Sequence, residues 1–234
     1  MNICVIPARG GSKRIPRKNI KLFCGKPIIA WSIHSAQKSG CFEKVVVSTD
    51  DEEIADTALS FGAEVPFLRP KELADDLAST RDVIVSAIDY FEKGGIAFSN
   101  VCCLYATAPF VTSEDIRTGL IRLNTLESEG LYIFPITRFE YPHQRAIRVN
   151  QIGHRSSMID PSMFSVRSQD LEPLFHDAGQ FYWANKNTWR EQERVLCNGC
   201  TIEIPSWRAQ DIDDNEDWIR AEILFKGARD YYKH

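Results

Sequence analysis

Three apolar runs, "NICVIPA" (2–8), "KVVVST" (44–49) and "AEVPF" (63–67), alternate with two stretches of helical periodicity. A run that is apolar throughout belongs to a strand buried on both faces, and parallel strands need long crossover connections. The first connection carries a helix over "GKPIIAWSIHSAQKSG", where Ile29, Ile33 and Ala36 share a face and Gly40 ends it. The second carries "DDEEIADTALSFG", with acids in its first turn and Gly62 as its stop. Strand, helix, strand, helix, strand predicts an α/β fold with a Rossmann-like, doubly wound, mostly parallel sheet. The pattern continues with a helix over "TRDVIVSAIDYFEKG", where Ser79 and Asp82 have capping-box spacing. Strand "NVCCLYA" (100–106), helix "TSEDIRTGLIRLNT" and strand "GLYIFPIT" follow.

Between 138 and 176 this order fails. Short alternating pieces with three prolines predict a small antiparallel excursion inserted between 1–137 and 177–234, a length usually reserved for lids or oligomer contacts. Strands over "GQFYWAN" and "TIEIP" and a closing helix over "NEDWIRAEILFKGARDYY" complete the α/β domain. "CNGC" (197–200) has the spacing of half a zinc or redox site, but no second Cys or His pair accompanies it. Asn198-Gly199 therefore reads as a tight turn between strands. The seven cysteines are scattered and odd in number, which fits reduced thiols. No apolar run approaches membrane-spanning length, and Arg9 and Lys13 follow the first apolar stretch where a secretory signal would place cations before a long one. A cytoplasmic protein with no membrane partner is expected.

In a doubly wound sheet the loop after the first strand is the natural ligand site. Here it reads "IPARGGSKRIPRKN" (6–19), five cations around two glycines. Eight of the 28 Lys and Arg, and none of the 32 Asp and Glu, fall in the first 42 residues of a chain of net charge −4. A basic loop on an acidic body predicts a small anionic ligand rather than nucleic acid. Gly10 and Gly11 are expected to adopt positive φ and bring N–H groups to phosphate oxygens. Arg9 can clamp a phosphate bidentately, with Lys13 and Lys18 as point charges. Neither the Walker A order nor Gly-x-Gly-x-x-Gly is present, which argues against a P-loop and against NAD. In "DIDD" (211–214) an extended backbone would put Asp211 and Asp213 on one face, half a coordination shell for Mg²⁺, whereas Asp214 suits a helix cap.

These motifs resemble the sugar-acid cytidylyltransferases, the CMP-sialic acid synthetase family. "GKPIIAWSI", "VVVSTDDEEIA", "GAEVPFLRPKELADD", "TAPF" and "QDIDDNEDW" extend the likeness along the whole chain, and "YATAPF" with "HDAGQFYW" is similar to the pseudaminic acid branch. The resemblance implies attack by the anomeric hydroxyl of a nine-carbon 2-keto sugar acid on the α-phosphorus of CTP, with pyrophosphate leaving and Mg²⁺ bound by Asp211 and Asp213. Arg9, Lys13 and Lys18 would then stabilise the departing pyrophosphate. It assigns the nucleotide to Ala8, Gly10, Gly11, Ser12, Asn19, Arg69, Ser79 and Thr80, with Asp75-Asp76 either nearby or simply solvated. Tyr105 stands where the sialic acid branch has a glutamine, and Val111 where it has an arginine, which favours a deoxygenated, N-acylated sugar over N-acetylneuraminate. The sugar is expected to meet Tyr105, Thr107, His176, Asp177, Gln180, Phe181 and Tyr182. By strand alternation, Phe181 and Trp183 oppose Gln180 and Tyr182, so one of those faces is core. His143 and Arg145, with Arg148, could reach a carboxylate across a homodimer interface, or lie on an ordinary hairpin. A legionaminic acid, N-acetylneuraminate or 3-deoxy-octulosonate enzyme and a non-catalytic CTP-binding regulator stay open as alternatives.

Overall fold

A computed structural model of the chain describes residues 1–73, 78–126 and 130–231. Strand β1 (Asn2–Pro7) leads into the cationic loop, a short ribbon of β2 (Leu22–Phe23) and β3 (Lys26–Pro27), and helix α1 (Ile28–Ser39). Gly40 ends α1 in the left-handed region at φ 66°. Strand β4 (Lys44–Ser48) and helix α2 (Glu52–Ser60) follow, and the Asp51 carboxylate caps α2 by accepting from Ile54 N. Helix α3 (Thr80–Lys93) opens with the expected capping box of Ser79 and Asp82. Strand β5 (Asn100–Leu104), helix α4 (Ser113–Thr125) and strand β6 (Tyr132–Arg138) complete the first half. The excursion holds the hairpin β7 (Ile147–Val149) and β8 (Ser156–Met158). Strand β9 (Phe175–Asp177), strand β10 (Phe181–Asn185), the short helix α5 (Lys186–Glu191), strand β11 (Gly199–Glu203) and helix α6 (Asn215–Tyr231) return the chain to the main body.

The seven-stranded sheet runs β11-β6-β10-β5-β1-β4, with β9 added beside β6. Strands β4 and β5 both pair parallel to β1, while β10 runs antiparallel between β5 and β6. The chain leaves β1 toward β4 on one side and later returns to β5 on the other. That reversal opens a crevice beyond the carboxyl ends of β1 and β5, where open α/β sheets hold ligands.

Three expectations need correcting. "AEVPF" forms no strand: it touches the sheet only through isolated bridges, Val46 to Glu64 and Thr49 to Leu68. Pro66 lacks the N–H that a longer ladder would need. Asn198-Gly199 makes no hairpin, because a 3₁₀ turn precedes it and Gly199 begins β11. Glycine is needed there for closeness, since a Cβ would stand 2.8 Å from the Tyr132 carbonyl oxygen. Third, both faces of β10 are core. Phe181 and Trp183 pack on the side of α1 and α4, Tyr182 and Ala184 on the side of α3, and all four are at most 5 % exposed. A sheet covered by helices on both faces leaves no solvent side to an inner strand.

Gly119 marks the tightest helix–sheet approach. A Cβ there would lie 2.6 Å from Trp183 Cδ1 and 3.0 Å from Phe181 Cε2, and the Trp183 indole is pinned by donating to the Ile116 carbonyl at 3.1 Å. Gly119→Ala should therefore cost about 1–3 kcal/mol through overpacking and lower the melting temperature by roughly 2–12 °C. Thermal unfolding followed by circular dichroism measures this, and a melt matching the native protein would contradict the packing described.

Candidate active site

The loop after β1 is held from below by the next strand. Ala8 N donates to the Ser48 carbonyl at 2.9 Å and Gly10 N to Asp50 Oδ1 at 3.0 Å. Neither Gly10 nor Gly11 takes a positive φ; Arg17 does, at 56°. Gly10 is needed because a Cβ would meet Asp51 Oδ2 at 2.7 Å. Arg17, in turn, is a structural cation: its guanidinium grips Asp51, with Nη2 2.9 Å from Oδ1, and Glu53. That contact holds the Asp51 carboxyl below its usual range, the Arg17 hydrogen bond being the largest cause. Asn19 is buried and braces the loop by donating to the Arg9 carbonyl at 2.9 Å.

The loop meets the far end of the chain through apolar packing. Ile15, Phe23, Ile28, Ile212, Trp218 and Phe225 form one buried cluster. Ile212 is 1 % exposed, and Asp211 and Asp213 on either side of it keep to the surface. Lys18 Nζ then donates to the Ile212 carbonyl at 2.8 Å and lies 3.4 Å from Asp213 Oδ1, while Arg14 Nη2 lies 2.8 Å from Asp213 Oδ2. Burial, and then the neighbouring charge of Asp213, raise the Asp211 carboxyl above its usual range. Two like charges one residue apart, only partly offset by cations, favour binding of a further cation. Among the described residues no cluster of three or more His, Cys, Asp or Glu could hold a metal. These two carboxylates would thus need ligand oxygens and water to complete an octahedral shell, which fits Mg²⁺ carried on a triphosphate.

A cleft of about 370 Å³ lies over the crevice, lined by Arg9, Ser12, Lys13, Arg14, Lys18, Asn19, Arg69, Thr80, Tyr105, Thr107 and Asp213 among others. Most of the expected nucleotide residues meet here. Ala8, Gly10, Gly11 and Ser79 lie outside the lining and support it as loop backbone and helix cap. Asp75 and Asp76 fall outside the described residues. Arg69 is 6 % exposed, and its guanidinium donates to the Ser48 carbonyl, Ser48 Oγ and the Leu73 carbonyl. Burial lowers its pKa, against the opposing charge of Asp50 and with a smaller contribution from Arg9. A guanidinium at the cleft wall whose hydrogen-bond acceptors are neutral oxygens keeps charge with which an anion could pair.

Tyr105 forms the far wall, with its hydroxyl 3.3 Å from Thr80 Oγ1 and its pKa pushed up to about 12 by burial. Behind it Tyr182 donates to Asp177, so these two residues shape the wall from the second row. Phe181 is wholly buried and Gln180 is 2 % exposed, donating from Nε2 to the Arg208 carbonyl at 2.6 Å. A second cavity of about 680 Å³ shares Asp213 with the cleft and is lined by Arg138, Glu140, His176, Trp207, Gln210, Asp211, Asp217 and Arg220. Of the expected sugar residues, only His176 lines it. Arg138, Glu140 and Arg220 are additions that no motif signals, because β6, the loop beyond it and α6 meet only in three dimensions. His143 stacks on Phe139, and Arg145 donates to Ser168 Oγ and the Val166 carbonyl, so both stay within the excursion.

A cationic loop after the first strand thus faces a carboxylate pair beyond a reversal in strand order, an arrangement suited to a phosphate-bearing ligand with a bound cation. Residues 3–198 match the model of the cytidylyltransferase family. The chain is 42 % identical over 226 residues to a pseudaminic acid cytidylyltransferase of Campylobacter jejuni, covering 96 % of each. It is 32 % identical to a CMP-N,N'-diacetyllegionaminic acid synthase of Legionella pneumophila, again over 96 % of each. A solved CMP:2-keto-3-deoxy-manno-octonic acid synthetase complexed with CTP shares the fold, with a TM-score of 0.70 at 19 % identity over 97 % of this chain and 99 % of that one. The chain belongs to the cytidylyltransferase family.

Proposed function

We propose that this protein transfers CMP from CTP to pseudaminic acid, releasing pyrophosphate. The observation that carries the reading is the contact of Lys18 with Ile212 and Asp213, which joins the cationic loop to the carboxylates across 194 residues of sequence. In this reading the triphosphate lies in the smaller cleft, with Arg9, Lys13, Lys18 and Arg69 offsetting the charge that builds on the leaving pyrophosphate. Asn19, Ser12 and Thr80 orient the nucleotide. Asp211 and Asp213 would hold Mg²⁺, which when bound would supply Lewis-acid polarisation of the α-phosphate. The sugar acid occupies the second cavity, so that its anomeric hydroxyl approaches along the side of Asp213 away from the triphosphate. Arg138, Arg220 and His176 face its carboxylate there, and Tyr105 stays on the wall of the nucleotide cleft.

The excursion is proposed as the homodimer contact. Tyr141, Ile147, Val149, Ile152, Ile159 and Phe164 are all more than half exposed on it, more apolar surface than a small hairpin leaves in water alone. A second copy seated there would bring His143 and Arg145 near its neighbour's sugar. Among the described residues no helix is long and apolar enough to cross a membrane, and unpaired cysteines suit a reducing cytoplasm.

Pyrophosphate release with Mg²⁺, CTP and a panel of acceptors at equal concentration tests the function. Pseudaminic acid should turn over fastest, with N-acetylneuraminate and legionaminic acid well behind. Faster turnover of N-acetylneuraminate would reject the branch. CTP binding without pyrophosphate from any acceptor would indicate the non-catalytic alternative.

A further inference from the structure

Asp213 presents both carboxylate oxygens to cations, and the two cations are held very differently. Lys18, 3.4 Å from Oδ1, is also fixed to the Ile212 carbonyl, and its side chain is 20 % exposed. Arg14, 2.8 Å from Oδ2, belongs to a side chain that is 68 % exposed. Ion pairs open to water contribute little, so this contact can be made and broken cheaply. A guanidinium and a divalent metal compete for the same oxygen lone pairs. Arg14 also lines the smaller cleft beside Arg9 and Lys13, where a planar fork suits phosphate oxygens.

We propose that Arg14 is a transferable counter-charge, which covers Asp213 in the free protein and moves to the triphosphate when nucleotide binds, releasing Oδ2. This rests on the reading of the cleft as a CTP site. It gives Arg14 a role distinct from the other loop cations, since Arg17 is committed to Asp51 and Lys18 to Ile212. Because the pair is weak, it only lowers the affinity of Asp213 for a free cation by a few fold, and an arriving triphosphate removes that competition.

The test uses Arg14→Gln in two binding titrations. Mn²⁺ alone, followed by water-proton relaxation, should bind about two- to fivefold more tightly, because the competing charge is gone. CTP in the presence of EDTA, followed by calorimetry, should bind about five- to twentyfold more weakly, because a phosphate contact is lost. A general weakening of the site would shift both affinities downward, and a solvated arginine would shift neither; each result overturns the proposal, as does a change in only one titration. Melting of the variant should match the native protein, since the side chain is exposed. A native protein that binds no CTP would refute the functional reading instead, and the Mn²⁺ titration would still decide whether Arg14 covers Asp213.

Discussion

Asp213→Asn should abolish most CMP transfer, lowering kcat by about 10²–10³-fold, while the melting temperature moves by only a few degrees. The amide keeps the shape of the carboxylate but removes the negative charge that faces Arg14 and Lys18 and that would ligate Mg²⁺. Stability is little affected because the local fold is held by other groups: Ile212 is buried, and the Asp213 and Asp214 N–H groups donate to Asp217 Oδ2 at 3.1 Å. Steady-state pyrophosphate release beside a thermal melt separates the two effects. Activity within threefold of the native protein would remove Asp213 from the chemistry.

Arg69→Met should have the opposite signature to an ordinary core mutation, with binding lost and stability kept. Arg69 is 6 % exposed, its hydrogen-bond acceptors are neutral oxygens, and desolvation works against its charge more than Asp50 supports it. Replacing a buried ion with an apolar chain of similar volume is often neutral for folding. The Ser48 carbonyl is not orphaned, because it also accepts from Ala8 N at 2.9 Å. What disappears is a hydrogen-bonding charge at the nucleotide cleft, worth about 1.5–3 kcal/mol, or roughly a 10- to 150-fold weaker affinity for CTP. Calorimetry with CTP and a denaturation curve on the same preparation provide the check. Unchanged affinity, or collapse of the fold, would count against an anion-receiving role.

The parts that could be read along the chain were those with a local cause. Uninterrupted apolar runs marked β1, β4, β5 and β6 because each is buried on both faces, and the capping box of Ser79 and Asp82 marked α3 because both partners lie within one turn. The ribbon of β2 and β3 and helix α5 carry no such mark, being two and six residues long and stabilised by contacts with α6 and β10. Of the two loop glycines, Gly10 yields space to Asp51 rather than turning the chain, and Gly11 has neither a positive φ nor a close neighbour. Phe181 looked available to a ligand because alternation identifies two faces without saying that helices cover both.

The linear order of residues determined the family, since a glycine-rich cationic loop after a buried strand and two aspartates flanking one isoleucine can be recognised without their partners. The division of labour among the loop cations waited on the packed chain. Arg17 finds its acid 34 residues away and Lys18 finds its acid 195 residues away, while Arg14 meets that same acid from the solvent side. Charge acts through space, and distances of a few ångströms between remote segments arise only once the Ile15, Ile212 and Trp218 cluster has closed.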